Sequence, residues 1–268
     1  MGLAGTELEL VGNVDLGTIE ADILFLANAT GRAAGDVVYQ QARLFIRDVT
    51  KVTPPFDRFG DFDESFAQQR KVGMGAVSGD IQNAFQSFDR ISIFTEPTDE
   101  SLGQRFREVV RKGDVGATLA IMRNVTGRDI RADRVISAPD TGKHNKLRTR
   151  RGRVKRLPFP YWTFSAAPIK AFIREKQELV GRAKAGWLSA ASKLGVSLPN
   201  WISGRGEGGV TDYSERGDDP VIILTNRVPY ISAQNAERRF VELALREREG
   251  AMQRQLQAKL DGLWSRTL

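Results

Sequence analysis

Apolar side chains recur every three or four positions over residues 36–52, where Val38, Ala42, Phe45, Val49 and Val52 share one face of a predicted helix. Arg43, Arg47 and Lys51 occupy the wetter side, and Pro54-Pro55 ends the pattern because proline disfavours helix in the residue before it. Upstream, residues 19–29 predict a shorter helix with Ile23, Leu26 and Ala27 inward. After the loop FDRFGDFDESF, a helix is predicted over 65–88, interrupted by glycines, with Ile81, Phe85 and Phe88 in phase. Residues 90–94 alternate like a short strand. Residues 100–126 return to helix through Leu102, Phe106, Val109 and Val110, and Gly113 and Gly116 divide that stretch.

Farther on, residues 161–164 predict a strand. Residues 167–194 predict a helix of about seven turns, on the phase of Ile169, Phe172, Ile173, Leu179, Val180, Ala183, Trp187, Ala190, Ala191 and Leu194. Gly195 falls where a C-cap belongs. A glycine-rich loop then leads to a strand at 221–225 and a last helix over 233–264, striped by Phe240, Ala244, Leu245, Met252, Leu256, Leu260 and Leu263. The pattern implies an α+β fold: a small twisted β-sheet packed against long α-helices, with a long C-terminal helix. One domain over 1–268 is expected, with 96–156 as an insertion or extended basic arm.

Composition narrows the chemistry. Of 268 residues 41% are hydrophobic and 27% charged, which suits a folded chain with a sizeable core. There is no cysteine, which removes disulfides, thiolate catalysis and Cys-ligated zinc, and fits a reducing cytoplasm. The one histidine, His144, cannot make a His-pair metal site. It could be drawn as a catalytic set with Asp133 and Asp140, but nothing in the pattern puts a nucleophile beside it. The opening MGLAGTELELVGN lacks the basic start and apolar core of a signal peptide, and MGLAGT matches the myristoylation pattern only as a short motif. No run approaches ~18 apolar residues, so no membrane span is predicted. GRGEGG, at 204–209, has neither the strand, the helix nor the Gly-Lys-Ser/Thr ending of a phosphate loop. The pairs Asp61 with Asp63 and Asp218 with Asp219 sit among turn residues and read as loop charge. No enzyme activity, cofactor or metal is expected.

The net charge of +7 concentrates attention on residues 143–156. Lys143, Lys146, Arg148, Arg150, Arg151, Arg153, Lys155 and Arg156 place eight cations in fourteen positions with no acid among them. The block reads as an exposed arm with two possible partners. It suits sequence-independent contact with nucleic acid, since no base-reading module accompanies it, and it suits equally an acidic neighbouring subunit.

Three segments together resemble a known family: VVYQQARLFIRDVTKVTPPF, KAGWLSAASKLGVSLPNWI and IILTNRVPYI. Their order is similar to that of bacteriophage tail-completion and minor tail proteins, the class that includes head–tail joining and tail-terminator components. The matching positions are Thr53, Pro54 and Pro55, then Thr225, Asn226, Pro229 and Tyr230. The chain departs from the pattern in PFDRFGDF, where an Asp-Thr-Gly and a basic helix are usual, and in the span 96–156. The resemblance implies a virion structural protein of the neck, assembled in the host cytoplasm. It would form a ring, six-fold in the family, around the DNA channel, between head–tail connector and tail tube proteins. Pro229, Tyr230, Trp187 and Asn226 are the expected interface residues, since a proline-fixed corner and large aromatic rings suit a packing surface.

Overall fold

The computed structural model describes residues 23, 25–28, 34–92, 99–147, 160–202, 211–213, 222–224, 226, 228 and 236–267. The chain divides into two compact units, one made of Met1–Gly73 with Val180–Leu268 and the other of Met74–Leu179. The expected insertion at 96–156 lies within the second of these units.

In the first unit, α1 (Ala34–Val52) is the organising element. Its innermost residues are Val37, Ile46, Val49 and Val52, so the buried face is turned slightly from the predicted stripe, and Val38, Ala42 and Phe45 are less buried. The last helix, α9 (Ala236–Thr267), packs along α1 and buries Phe240, Ala244, Met252 and Leu256. Leu26, Ala27 and Val37 join Met252 and Leu256 in a small cluster, as the predicted inward positions require. Each large apolar side chain removed from water in this way contributes about 1.5–3 kcal/mol.

The predicted helix over 167–194 is three helices. These are α6 (Ala167–Gln177), the single turn α7 (Arg182–Ala185) and α8 (Leu188–Lys193). The break is at Gly181, which has φ +93°, and a Cβ there would lie 2.5 Å from the Trp201 ring. Only glycine fits both the conformation and the space. Gly195, at φ +65°, ends α8 as expected, with Val196 N–H donating to Ala191 O at 2.8 Å in a Schellman-type closure.

The second unit takes in α2 (Phe66–Ala84) from Met74 on, and that helix leads into β1 (Phe85–Ser87), which pairs in parallel with β2 (Tyr161–Thr163). The helix predicted over 65–88 thus stops early, and the strand lies ahead of 90–94, where Phe88–Arg90 forms a 3-10 turn. Phe85 and Ser87 point inward and Gln86 outward, the period-two alternation that a half-buried strand demands. Between β1 and β2 come α3 (Glu100–Lys112), α4 (Val115–Thr126) and α5 (Thr141–Leu147). A crossover of this kind is what a parallel pair needs. Gly113, at φ +69°, separates α3 from α4, while Gly116 lies within α4. Asp99 and Asp114 cap the two helices by accepting backbone N–H bonds.

The fold is mostly helical, and the expected single twisted sheet is absent among the described residues. β1–β2 is one two-stranded sheet, and β3 (Thr211–Tyr213) with β4 (Ile222–Leu224) is another, antiparallel one. Strands of three residues bury too little surface to form a layer of their own, so helices supply the cores.

Candidate functional site

Three segments far apart in sequence meet in the first unit: the end of α1, the bend between α7 and α8, and the residues that follow β4. The reason begins with proline. A helix carbonyl normally receives the N–H four residues on, but for Thr50 and Lys51 those residues are Pro54 and Pro55, which have no N–H. Lys184, in α7, supplies the missing donors. Its Nζ donates to Thr50 O at 2.7 Å, to Lys51 O at 3.1 Å and to Thr53 O. Gln69 adds a bond to Lys51 O at 3.0 Å.

Lys184 is fully buried. Burial pushes its amine down to about 7, Glu64 pulls it back up, and Lys51 adds to the fall. A lysine of depressed pKa is a familiar nucleophile. Here, however, the amine is directed at three carbonyls and has no exposed face, so the group acts as a helix-end donor.

The junction continues through Trp187. Its indole Nε1 donates to Thr53 Oγ1 at 3.0 Å, and that hydroxyl donates to Val49 O at 2.6 Å. Around it lie Ile46, Val49, Val52, Ala183, Ala190 and Leu194. Trp187, expected on an interface, is instead buried in its own unit's core and has no ring surface left for a neighbour. Its role is to lock the end of α1.

Asn226, just beyond β4, completes the corner. Its Nδ2 donates to Ala183 O at 3.0 Å, and its Oδ1 accepts Val228 N–H at 3.0 Å. The amide sits so close to the α7–α8 bend that a Cβ at Gly186 would collide with it. A strand that stops on asparagine is thereby clamped to that bend through side-chain hydrogen bonds. Asn226, expected at an interface, makes these bonds within its own unit. Pro229 and Tyr230 lie outside the described residues.

The basic segment belongs to the second unit. Lys143 and Lys146 lie on α5, and Lys143 pairs with Asp140, holding that carboxyl below its usual range through its side-chain and backbone hydrogen bonds. Arg148, Arg150, Arg151, Arg153, Lys155 and Arg156 lie outside the described residues, and most of the expected arm falls there with them. The charge is unevenly divided. Met74–Leu179 carries twenty Lys and Arg against twelve Asp and Glu, a net +8, while Met1–Gly73 with Val180–Leu268 carries twenty against twenty-one, a net −1.

The catalytic set drawn around His144 does not form. Asp133 is bound to Arg131 at 3.0 Å and Asp140 to Lys143. His144 is buried, with Nε2 3.1 Å from Asp80 Oδ2 and its ring near those of Phe85 and Phe172. Asp61 Oδ1 accepts the backbone N–H groups of Asp63 and Glu64, the turn role expected of it. Among the described residues no three acidic or histidine side chains group to hold a metal ion. No helix there is long and apolar enough to cross a membrane.

Sequence reasoning missed Lys184 and Gln69. The available signal was the prolines themselves: two consecutive residues without N–H after a helix demand donors from elsewhere. Comparison of the chain with protein-family models, curated proteins and solved structures finds no match.

Proposed function

We propose that the chain is a structural subunit of a bacteriophage neck, acting as a head–tail connector, tail-completion or tail-terminator component. It works by assembling into a ring, six-fold by family likeness, around the DNA channel, between connector and tail tube proteins in the virion. One observation supports the reading. The Thr53-Pro54-Pro55 end, the Lys184-Trp187 bend and Asn226 lie in three separate segments that resemble the family, and in the fold they bond to one another. A fixed order of short segments has a physical purpose if the segments build one rigid corner. From that corner the chain runs on to Pro229 and Tyr230, the remaining candidates for contact with a neighbour.

Native mass measurement and negative-stain microscopy of the full chain test this proposal, alone and mixed with connector and tail tube proteins. Rings, or incorporation into particles, are expected. Tyr230→Ala should weaken assembly and leave the melting temperature unchanged. A strictly monomeric protein in every mixture overturns the reading.

A further inference from the structure

A cleft of about 640 Å³ opens in the second unit, between β1, the 3-10 turn after it, α4 and α6. Its floor is apolar, made by Phe85, Met122, Ile169 and Ile173, all buried. Arg90, Arg128 and Lys170 line the same cleft and are exposed, so the charge lies at the rim. Ser87, Ser92 and Thr126 add hydroxyls. Among the described residues no carboxylate lines the cleft, and none of the three cations is in an ion pair. Asp89, adjacent to Arg90, is engaged by the Ala166 N–H at 3.0 Å.

We propose that this cleft seats one nucleotide of a single-stranded nucleic acid, its base against the apolar floor and its phosphates among Arg90, Arg128 and Lys170. The volume lies within the roughly 300–1,000 Å³ of small-ligand sites. A base has an apolar face and no charge, so the floor accepts it without reading sequence. Guanidinium groups match phosphate oxygens in pairs, and the lysine adds a point charge. The surrounding unit, at net +8, would draw a polyanion to the cleft. A duplex keeps its bases stacked inside and cannot fill the floor, so the cleft favours single strands. The inference stands whether or not the chain forms rings.

The test is fluorescence anisotropy of the full chain with labelled oligo(dT) and with a duplex of equal length, over a range of salt. Arg128→Glu with Lys170→Glu should weaken oligo(dT) binding about tenfold or more and reduce the log-salt slope by about 1.4, two single-strand phosphate contacts' worth. Duplex binding should fall less. If that variant melts early, Arg128→Gln with Lys170→Gln should show the same preference lost in smaller degree. Thymidine monophosphate should displace the oligonucleotide. Neutralising Arg148, Arg150, Arg151 and Arg153 should weaken both nucleic acids and keep the preference for single strands. Unchanged oligo(dT) binding, equal losses on single strand and duplex, or loss of the preference in the arm variant each overturn the proposal. So does displacement by polyglutamate as readily as by thymidine monophosphate, which would make the cleft a seat for acidic peptide.

Discussion

Trp187 and Thr53 stand 134 residues apart and share a buried hydrogen bond of 3.0 Å, indole N–H to hydroxyl. The same hydroxyl donates to Val49 O, so one oxygen satisfies the tryptophan and closes the last turn of α1.

Thr53→Val keeps the shape of the side chain and removes both functions. The indole N–H is then buried without an acceptor, and stability should fall by about 1–3 kcal/mol. Thr53→Ser should recover most of the loss. Urea unfolding of the three proteins measures it.

Lys184 makes stability depend on pH. Its ordinary value is 10.5 and its folded value about 7. Between those values the unfolded chain binds the proton more readily, so this group's contribution to stability rises with pH across the window. Below it both states are protonated, and the cost of burying the charge is present in full. Lys184→Met should remove this rise from the melting-temperature profile. It should also destabilise by about 1–3 kcal/mol at neutral pH, because the carbonyls of Thr50, Lys51 and Thr53 lose their donor.

Gly186 and Asn226 should be coupled. Gly186→Ala drives a methyl into the Asn226 amide. Adding Asn226→Ala removes the obstructing atoms, so the double variant should be less destabilised than the sum of the two changes by about 0.5–3 kcal/mol. Additive losses would show that the close approach has no energetic consequence.

Asp48 and Arg248 form a largely buried ion pair between α1 and α9. Burial raises Asp48, with Arg248 the strongest influence in the opposite direction. A carboxyl raised in the fold contributes stability at acid pH that is lost as pH climbs through its folded value. Arg248→Met should cost about 3–5 kcal/mol at neutral pH and steepen that loss. Asp48→Asn in the same background should flatten it. Denaturation midpoints across the acid-to-neutral range decide the matter.

Much of the helical layout was legible because its causes are local. Pro54-Pro55 ends α1 by its own geometry, and Gly113 and Gly195 stop helices through positive φ. The break at Gly181 was not legible. The apolar period runs through it because Ile169, Phe172 and Ile173 serve one core while Ala183, Trp187 and Leu194 serve another. A periodicity records that residues are buried and is silent on which core buries them. The same limit explains Trp187, whose size and polar tip suit an interface or an interior equally well.

What the sequence by itself determined were the helix ends at Pro54, Gly113 and Gly195, the run of cations at 143–156 and the absence of thiol chemistry. Each follows from residue type and near neighbours. Only the tertiary structure decided that Lys184 replaces the donors two prolines lack, that Asn226 clamps a bend, and that the excess charge resides in Met74–Leu179. Those facts depend on groups scores of residues apart coming within hydrogen-bond reach, and no spacing along the chain encodes such a distance.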